Sequence, residues 1–78
     1  MPLNNKIKIH RAIHNLTQEQ LAEKVGVTRK TINTIERGHF VPSTILALKI
    51  SKIFGVPVEE VFSLDEEETK ALGQRGNK

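Results

Sequence analysis

Apolar side chains recur at helical spacing along the chain, in segments separated by glycine, asparagine or a hydroxyl residue. The first segment runs from about Asn5 to His14, and its apolar positions are Ile7, Ile9 and Ile13. Asn5 or the residue before it is placed to cap this helix, and Asn15 is suited to the left-handed conformation that ends one. The pattern predicts a first helix.

A second helix is predicted by a capping box, Thr17-Gln18-Glu19-Gln20. In this motif the hydroxyl accepts from the third amide of the helix, while the Gln20 side chain bonds back to the Thr17 N–H. Leu21, Ala22 and Val25 form its apolar face. Gly26 supplies the positive φ that ends the helix, only about two residues before the next one begins.

The third predicted helix, Thr28 to Arg37, is amphipathic. Thr28 is its N-cap, Ile32 and Ile35 form the inner face, and Gly38 ends it. Its remaining side chains are almost all able to form hydrogen bonds. A helix with this pattern buries a narrow stripe and exposes a broad polar face.

Two further helices are predicted, one capped by Ser43 and running to Phe54, the other opened by Pro57 and ending at Phe62. No period-two alternation indicates a strand. We therefore expect an all-α fold, a compact bundle of five helices. Ser63 is placed to cap one extra turn through Leu72 in an otherwise mobile tail.

Charge divides the 78 residues into two parts. The net charge is +3, but up to Leu64 nine lysines and arginines stand against five acidic residues. The domain is therefore expected to span residues 1–64, and residues 65–78 form an acidic tail. A basic folded part is compatible with a phosphate-bearing partner.

Several classes of protein are excluded by length and composition. A chain this short cannot both hold a core and enclose a deep substrate cavity, so large enzyme folds are excluded. It has no cysteine, and no apolar run approaches the roughly 18 residues of a membrane span. We expect a cytoplasmic protein without membrane attachment.

Two short helices joined by a tight glycine-containing turn form a helix-turn-helix arrangement. The major groove of duplex DNA, about 12 Å wide, admits one α-helix, whose outward side chains then meet the base edges. Here that helix is Thr28 to Arg37. The pattern favours a DNA-binding function.

The same residues resemble the Cro and phage-repressor type of helix-turn-helix regulators, also called the xenobiotic-response-element type. The resemblance covers about Asn5 to Phe62. It rests on three stretches and a final pair: Leu16 to Ala22, Val25 to Arg29, then Thr31-Ile32-Asn33 with Ile35-Glu36 and Gly38, and finally Pro42-Ser43. It implies a lambda-repressor-like domain that binds operator DNA as a homodimer and regulates transcription. We expect a repressor without cofactor or catalytic residues.

The resemblance also implies roles for individual residues, which follow the position of each in the motif. The base-reading positions correspond to Arg29, Lys30, Asn33 and Thr34. Contacts with the DNA backbone are implied for Thr17, Gln18, Thr28, Thr31, Arg37 and His39. Arg11 and Glu36 match a structural ion pair that ties the first helix to the end of the third.

The fourth helix is apolar on more than one side, which indicates burial on two sides. A self-complementary dimer contact explains this, with an interface expected at Ile45, Leu46, Ile53, Val58, Val61 and Phe62. In that arrangement Ala47, Leu48 and Phe54 face inward. The alternative is that the first and fifth helices cover the whole of it within one subunit.

The sequence also has features that bear on functions other than DNA binding. His10 and His14 have the i, i+4 spacing of metal ligands, but no cysteine or well-placed carboxylate completes a zinc site, so we expect His10 to pack against the core. A protein-binding module, such as an antitoxin that uses the fourth helix, is a second hypothesis and is compatible with DNA binding. An enzymatic function is the weakest hypothesis, because the sequence shows neither a catalytic nucleophile with its general base nor a phosphate-binding loop.

Overall fold

The computed structural model describes residues 3–75, with side chains for residues 3–72. Its elements, in chain order, are β1 (Leu3–Asn5), α1 (Ile7–Ile13), α2 (Gln18–Val25), α3 (Arg29–Glu36), α4 (Thr44–Phe54), α5 (Val58–Val61), β2 (Phe62–Leu64) and α6 (Glu66–Arg75). The small helical bundle is confirmed.

Most predicted helix ends are confirmed, because their hydrogen bonds are present. The N–H of Gln20 donates to Thr17 Oγ1 at 3.0 Å, and the N–H of Thr17 donates to Gln20 Oε1 at 2.9 Å. The hydroxyls of Thr28 and Ser43 cap α3 and α4 in the same way. Gly26, with φ of 81°, ends α2 in the left-handed region, which glycine enters without steric cost.

The all-α character of the fold is confirmed, with one addition that the sequence did not predict, a minor sheet of two short strands. β1 and β2 pair antiparallel, with Leu3 opposite Leu64 and Asn5 opposite Phe62. Phe62, predicted as a helix end, is extended, with φ of −122° and ψ of 141°. Three-residue strands are too short to produce a period-two signal, and their pairing joins opposite ends of the chain.

The residues after β2 form a helix that is longer than the single extra turn predicted. α6 runs from Glu66 to Arg75, and the N–H of Glu68 donates to Asp65 Oδ1 at 2.8 Å. Asp65 therefore caps this helix, whereas Ser63, the predicted cap, lies in β2. Three glutamates occupy the first turn of α6, where carboxylates interact favourably with the helix dipole.

The core combines apolar side chains from five helices. The largest fully buried ones are Ile7, Leu21, Ile32, Ile35, Ile50 and Val61. α2 packs against both α3 and α4, so the core fixes the position of α3 relative to the rest of the bundle.

The predicted dimer interface is wrong for three of its six residues. Leu46, Val61 and Phe62 are buried within the single chain. Leu46 shares a helix face with Ile50 and Phe54, four and eight residues on, and that face is the one turned to the core. β2 places Phe62, and the end of α5 places Val61, in the same core.

The outer face of α4 is also different from the prediction. Ile45 is exposed, as expected, but Leu48, predicted to face inward, is 53% exposed. Ser51 takes an inner position instead, and its hydroxyl donates to the Ala47 carbonyl at 2.9 Å, which satisfies the buried group. Ile53 and Val58 are partly buried against the core.

Candidate nucleic-acid interface

The turn between α2 and α3 is short and fixed by backbone hydrogen bonds. The N–H groups of Gly26 and Val27 both donate to the Ala22 carbonyl, at 2.8 and 3.0 Å. The next residue, Thr28, already caps α3, and its hydroxyl accepts from the Thr31 N–H at 3.3 Å. The two helices therefore have a defined relative orientation, with α3 held at the surface.

The outer face of α3 presents four residues able to form hydrogen bonds. The side chains of Arg29 and Lys30 are exposed, and those of Asn33 and Thr34 are half-buried. Thr34 Oγ1 donates to the Lys30 carbonyl at 2.7 Å, so its hydroxyl proton is used within the helix. None of the four residues predicted to read bases lies inside the core.

A second row of hydroxyls lies at the start of α3. The oxygens of Thr28 and Thr31 are 3.1 Å apart, so one hydroxyl donates to the other. Thr17 Oγ1 is used by its capping bond. Arg37 and His39, at the end of α3 and in the loop beyond it, are exposed.

Arg11 and Glu36 lie in contact. Arg11 Nε donates to Glu36 Oε2 at 2.6 Å and Nη2 donates to Oε1 at 3.3 Å, while Nη1 donates to the Leu16 carbonyl at 2.9 Å. The side chains are 15% and 8% exposed. A bidentate pair shielded in this way joins α1, the loop before α2 and the end of α3.

Gln18, predicted to contact phosphate, is also part of this network. Its Nε2 donates to Glu36 Oε1 at 3.0 Å, and its Oε1 accepts from Asn33 Nδ2 at 3.5 Å. The backbone N–H of Gln18 precedes the first helical hydrogen bond of α2, from Leu21 to Thr17. An amide at that position is suited to bind an anion.

A groove of about 480 Å³ runs beside this network. It is lined by Asn5, Lys6, Lys8, Ile9, Arg11, Gln18, Asn33, Glu36 and Arg37. Four of these residues are cations and one is acidic. The groove thus adds positive charge from the start of α1 to the face formed by α2 and α3.

The sequence did not indicate Lys6 and Lys8 as part of this surface. Their only signal was charge, and their position depends on the path of the chain from β1 into α1. Asn5 fixes that path, because its Nδ2 donates to the Ile35 carbonyl at 3.0 Å and its Oδ1 accepts from the Ile7 N–H at 3.2 Å.

Phe40 is a further residue that the sequence did not indicate as part of this surface. It is 50% exposed, and it lines a cleft of about 200 Å³ together with Thr28, Lys30, Thr31 and Thr34. An aromatic ring is thereby placed beside the outer face of α3. The only sequence signal was an isolated phenylalanine in the loop before Pro42.

The two histidines of α1 pack against an aromatic ring. The rings of His10 and Phe54 are stacked with centroids 5.2 Å apart, and His14 lies 5.4 Å from Phe54. His14 Nδ1 is 3.0 Å from the His10 carbonyl oxygen. Among residues 3–75, no group of three or more His, Asp or Glu side chains is arranged to hold a metal ion.

These features define a helix-turn-helix DNA-binding domain: two helices, a fixed three-residue turn between them, and an outward row of cationic, amide and hydroxyl groups. In the described part of the chain, no helix has the length and hydrophobicity to cross a membrane.

Comparisons with known proteins agree with this class. The model of the helix-turn-helix family matches residues 7–61. An uncharacterised HTH-type transcriptional regulator of Methanocaldococcus jannaschii is 53% identical over 66 residues, 85% of this chain and 100% of that protein. The chain belongs to the helix-turn-helix family of the Cro/C1 type, whose members are DNA-binding transcriptional regulators rather than enzymes.

More distant relatives include a transcriptional activator and a transcriptional repressor. The transcriptional activator BcrR of Enterococcus faecalis is 41% identical over 85% of this chain and 32% of its own length. The cryptic phage CTXphi transcriptional repressor RstR of Vibrio cholerae is 33% identical over 81% of this chain and 57% of the repressor. A solved complex of the SinR and SinI proteins matches with a TM-score of 0.67 and 28% identity, over 91% of this chain and 75% of the matched one.

Proposed function

We propose that the protein is a sequence-specific repressor that inserts α3 into the major groove of an operator. The observation that carries this proposal is the position of Arg29, Lys30, Asn33 and Thr34 on one accessible face of a helix held by a short turn. An exposed arginine at the start of α3 suits bidentate pairing with guanine O6 and N7. Arg29 is therefore the leading specificity residue.

The DNA backbone is proposed to lie across the N-terminus of α2 and along the flanks of α3. Gln18 binds a phosphate through its free backbone N–H and its side chain, while Thr17, Thr28 and Thr31 lie close to the sugar-phosphate chain. Arg37 and His39 bind phosphates at the other end of α3. Such contacts position the domain without selecting a sequence.

Two further surfaces extend this interface. Lys6 and Lys8, in the basic groove, add phosphate contacts beyond the end of α3. The ring of Phe40 lies in a cleft with Lys30 and three threonines, and this cleft suits a thymine methyl group.

A homodimer is proposed as the binding form, with α4 at its centre. Ile45 and Leu48 are 67% and 53% exposed on the outer face of α4, and Ile53 and Val58 lie partly buried. Pairing this face across a two-fold axis would place two α3 helices about 34 Å apart, one turn of duplex DNA, on a palindromic site.

Residues 1–64 are proposed as the DNA-binding unit, with residues 65–78 as an acidic extension outside it. The family match ends at residue 61, and the main packing partner of α6 is β2. A regulator that acts on the genome is expected in the cytoplasm of a bacterial or archaeal cell.

The proposal that the protein represses transcription, rather than activating it, follows the example of the phage repressor RstR. Expression of a reporter gene placed behind the selected operator tests this proposal.

Selection of bound duplexes from a random pool tests the proposal. The expected product is a palindromic sequence whose half-sites are one helical turn apart, and whose binding weakens steeply with salt as cations displace counterions. Recovery of unrelated sequences with equal affinity would contradict sequence-specific recognition. Loss of all binding at physiological salt would contradict a DNA function for the isolated chain.

A second candidate function is binding of another protein through the outer face of α4. The observation that favours it is the exposure of Ile45, Leu48 and Val41, of which Val41 is 52% exposed in the loop before α4. The solution mass of the purified protein distinguishes use of this face in a homodimer from its use in binding another protein. A stable homodimer that covers α4 leaves this face occupied, whereas a monomer leaves it available to a heterologous partner.

A further inference from the structure

The side-chain amide of Gln18 lies between two groups with different hydrogen-bonding abilities. Its Nε2 donates to Glu36 Oε1 at 3.0 Å, and its Oε1 accepts from Asn33 Nδ2 at 3.5 Å. A carboxylate has no proton to donate, so the donor end of Gln18 faces Glu36 and its acceptor end faces Asn33. Glu36 therefore determines which way round the Gln18 amide lies.

Glu36 is itself held in place from the opposite side. Arg11 donates to both of its oxygens, at 2.6 and 3.3 Å, and the Glu36 side chain is only 8% exposed. A charge-assisted bond in a shielded position is stronger than one between neutral groups in water. The carboxylate is thus a fixed acceptor at one end of the chain of hydrogen bonds from Glu36 through Gln18 to Asn33.

The orientation is passed on to Asn33. One Nδ2 hydrogen of Asn33 points to Gln18, which leaves its Oδ1 and its second Nδ2 hydrogen for other partners. One acceptor beside one donor matches N6 and N7 of adenine, the base that asparagine pairs with in the major groove. The reversed amide would place its acceptor against another acceptor, Gln18 Oε1.

We propose that Glu36 is a positioning residue for base recognition, which acts through Gln18 to hold the Asn33 amide in the orientation that reads adenine. This inference rests on the proposed function, in which Asn33 faces the bases. It gives Glu36 a role in specificity that is separate from its ion pair with Arg11.

The test measures base preference at every operator position, by competition binding with single-base variants of the selected site. Asn33→Ala identifies the base pair that Asn33 reads. Glu36→Gln keeps the size of the side chain but can donate as well as accept, so both orientations of Gln18 become available. Arg11→Lys is the matched control, because it weakens the ion pair but keeps a cation beside Glu36 and keeps the carboxylate as an acceptor that cannot donate.

Asn33→Ala is expected to abolish the preference at one base pair. Glu36→Gln should lower the adenine preference at that same base pair by about fivefold or more, with the other positions unchanged. Arg11→Lys should keep it. An unchanged preference in Glu36→Gln would overturn the proposal, and so would an equal loss in Arg11→Lys, since Glu36 would then act only through the position of α3.

Gln18→Leu provides a second route if Glu36→Gln does not fold. It removes the acceptor beside Asn33 and leaves the Arg11–Glu36 pair intact. The expected result is weaker binding to all sequences together with loss of the adenine preference at one position, and uniform weakening alone would overturn the proposal. If Asn33→Ala changes no preference, the base-reading role of Asn33 fails, which is a distinct result.

Discussion

Arg11 and Glu36, 25 residues apart in the sequence, form a bidentate ion pair with Nε and Oε2 2.6 Å apart. The pair joins the middle of α1 to the last residue of α3. Arg11 also donates to the Leu16 carbonyl, so the same side chain holds the loop that leads into α2. One arginine thus links three parts of the DNA-binding unit: α1, the loop before α2 and the end of α3.

Removal of either partner is expected to destabilise the fold. Arg11→Ala leaves the Glu36 carboxylate, 8% exposed, without its counter-charge, and a loss of about 3 kcal/mol in the free energy of unfolding is expected. Glu36→Ala leaves the more exposed arginine, so the expected loss is smaller. Urea denaturation at neutral pH measures both values.

The double variant and an exposed control separate pairing from other effects. Arg11→Ala combined with Glu36→Ala is expected to cost less than the sum of the single changes, because no charge is left unpaired. Glu23→Ala, at an exposed position of α2, should change stability by less than about 0.5 kcal/mol. Additive losses in the double variant would show that the two charges do not depend on each other.

Arg29→Ala is expected to relax base preference at one operator position without loss of stability. The Arg29 side chain is exposed, so its removal leaves the core intact. Loss of a bidentate contact with guanine should reduce discrimination there by about 1–3 kcal/mol. Competition binding with single-base operator variants measures this. Lys24→Ala, at the end of α2, is the matched control and should leave every preference unchanged.

An unchanged preference profile for Arg29→Ala would contradict the proposed placement of α3. Equal weakening on all sequences would instead indicate that Arg29 binds a phosphate. The two results are distinguishable in the same titration.

The helices were predictable from sequence because their ends depend on local chemistry. Thr17 with Gln20, Thr28 and Ser43 cap their helices through side chains three residues from the amides they bind, and Gly26 ends α2 by its own φ. Such signals lie within one helical turn. They fixed the turn between α2 and α3, and with it the outward face of α3.

Features that depend on tertiary contacts were not predictable in the same way. The pairing of β1 with β2 joins residues about 60 positions apart, and three residues are too few for an alternating pattern. For α4, the sequence shows apolar residues on several faces, and only packing decides that Leu46 is inside and Leu48 outside. The position of Phe40 beside α3 depends likewise on the path of a loop.

Phe40→Ala is expected to weaken operator binding roughly fivefold, from the loss of about 1 kcal/mol of apolar contact in the cleft beside Thr31 and Thr34. The ring is half exposed, so the stability of the free protein should change little. Affinity is measured on the selected operator and on duplexes in which single thymines are replaced by uracil, which lacks the methyl group.

The uracil duplexes identify the partner of the ring. In the wild type, one replacement should reduce affinity, and in Phe40→Ala that replacement should have no further effect. Phe40→Leu, which keeps an apolar side chain, should retain most of the sensitivity. If every uracil duplex reduces affinity equally in the wild type and in Phe40→Ala, the ring does not contact a thymine methyl group.

Ile45→Asp is expected to convert a dimer into a monomer. Ile45 is 67% exposed on α4, so in a single subunit an aspartate there remains in water, whereas in a symmetric interface two carboxylates would be buried close together.

Ile13→Asp is the control, since Ile13 is 65% exposed on α1, outside the proposed interface. Analytical ultracentrifugation of the three proteins at equal concentration measures the mass. The wild type and Ile13→Asp should sediment as two chains and Ile45→Asp as one. Ile45→Asp should also bind a palindromic operator more weakly than the wild-type dimer does. A two-chain mass for Ile45→Asp would place the dimer contact elsewhere, and a one-chain mass for the wild type would leave the outer face of α4 free for a different protein.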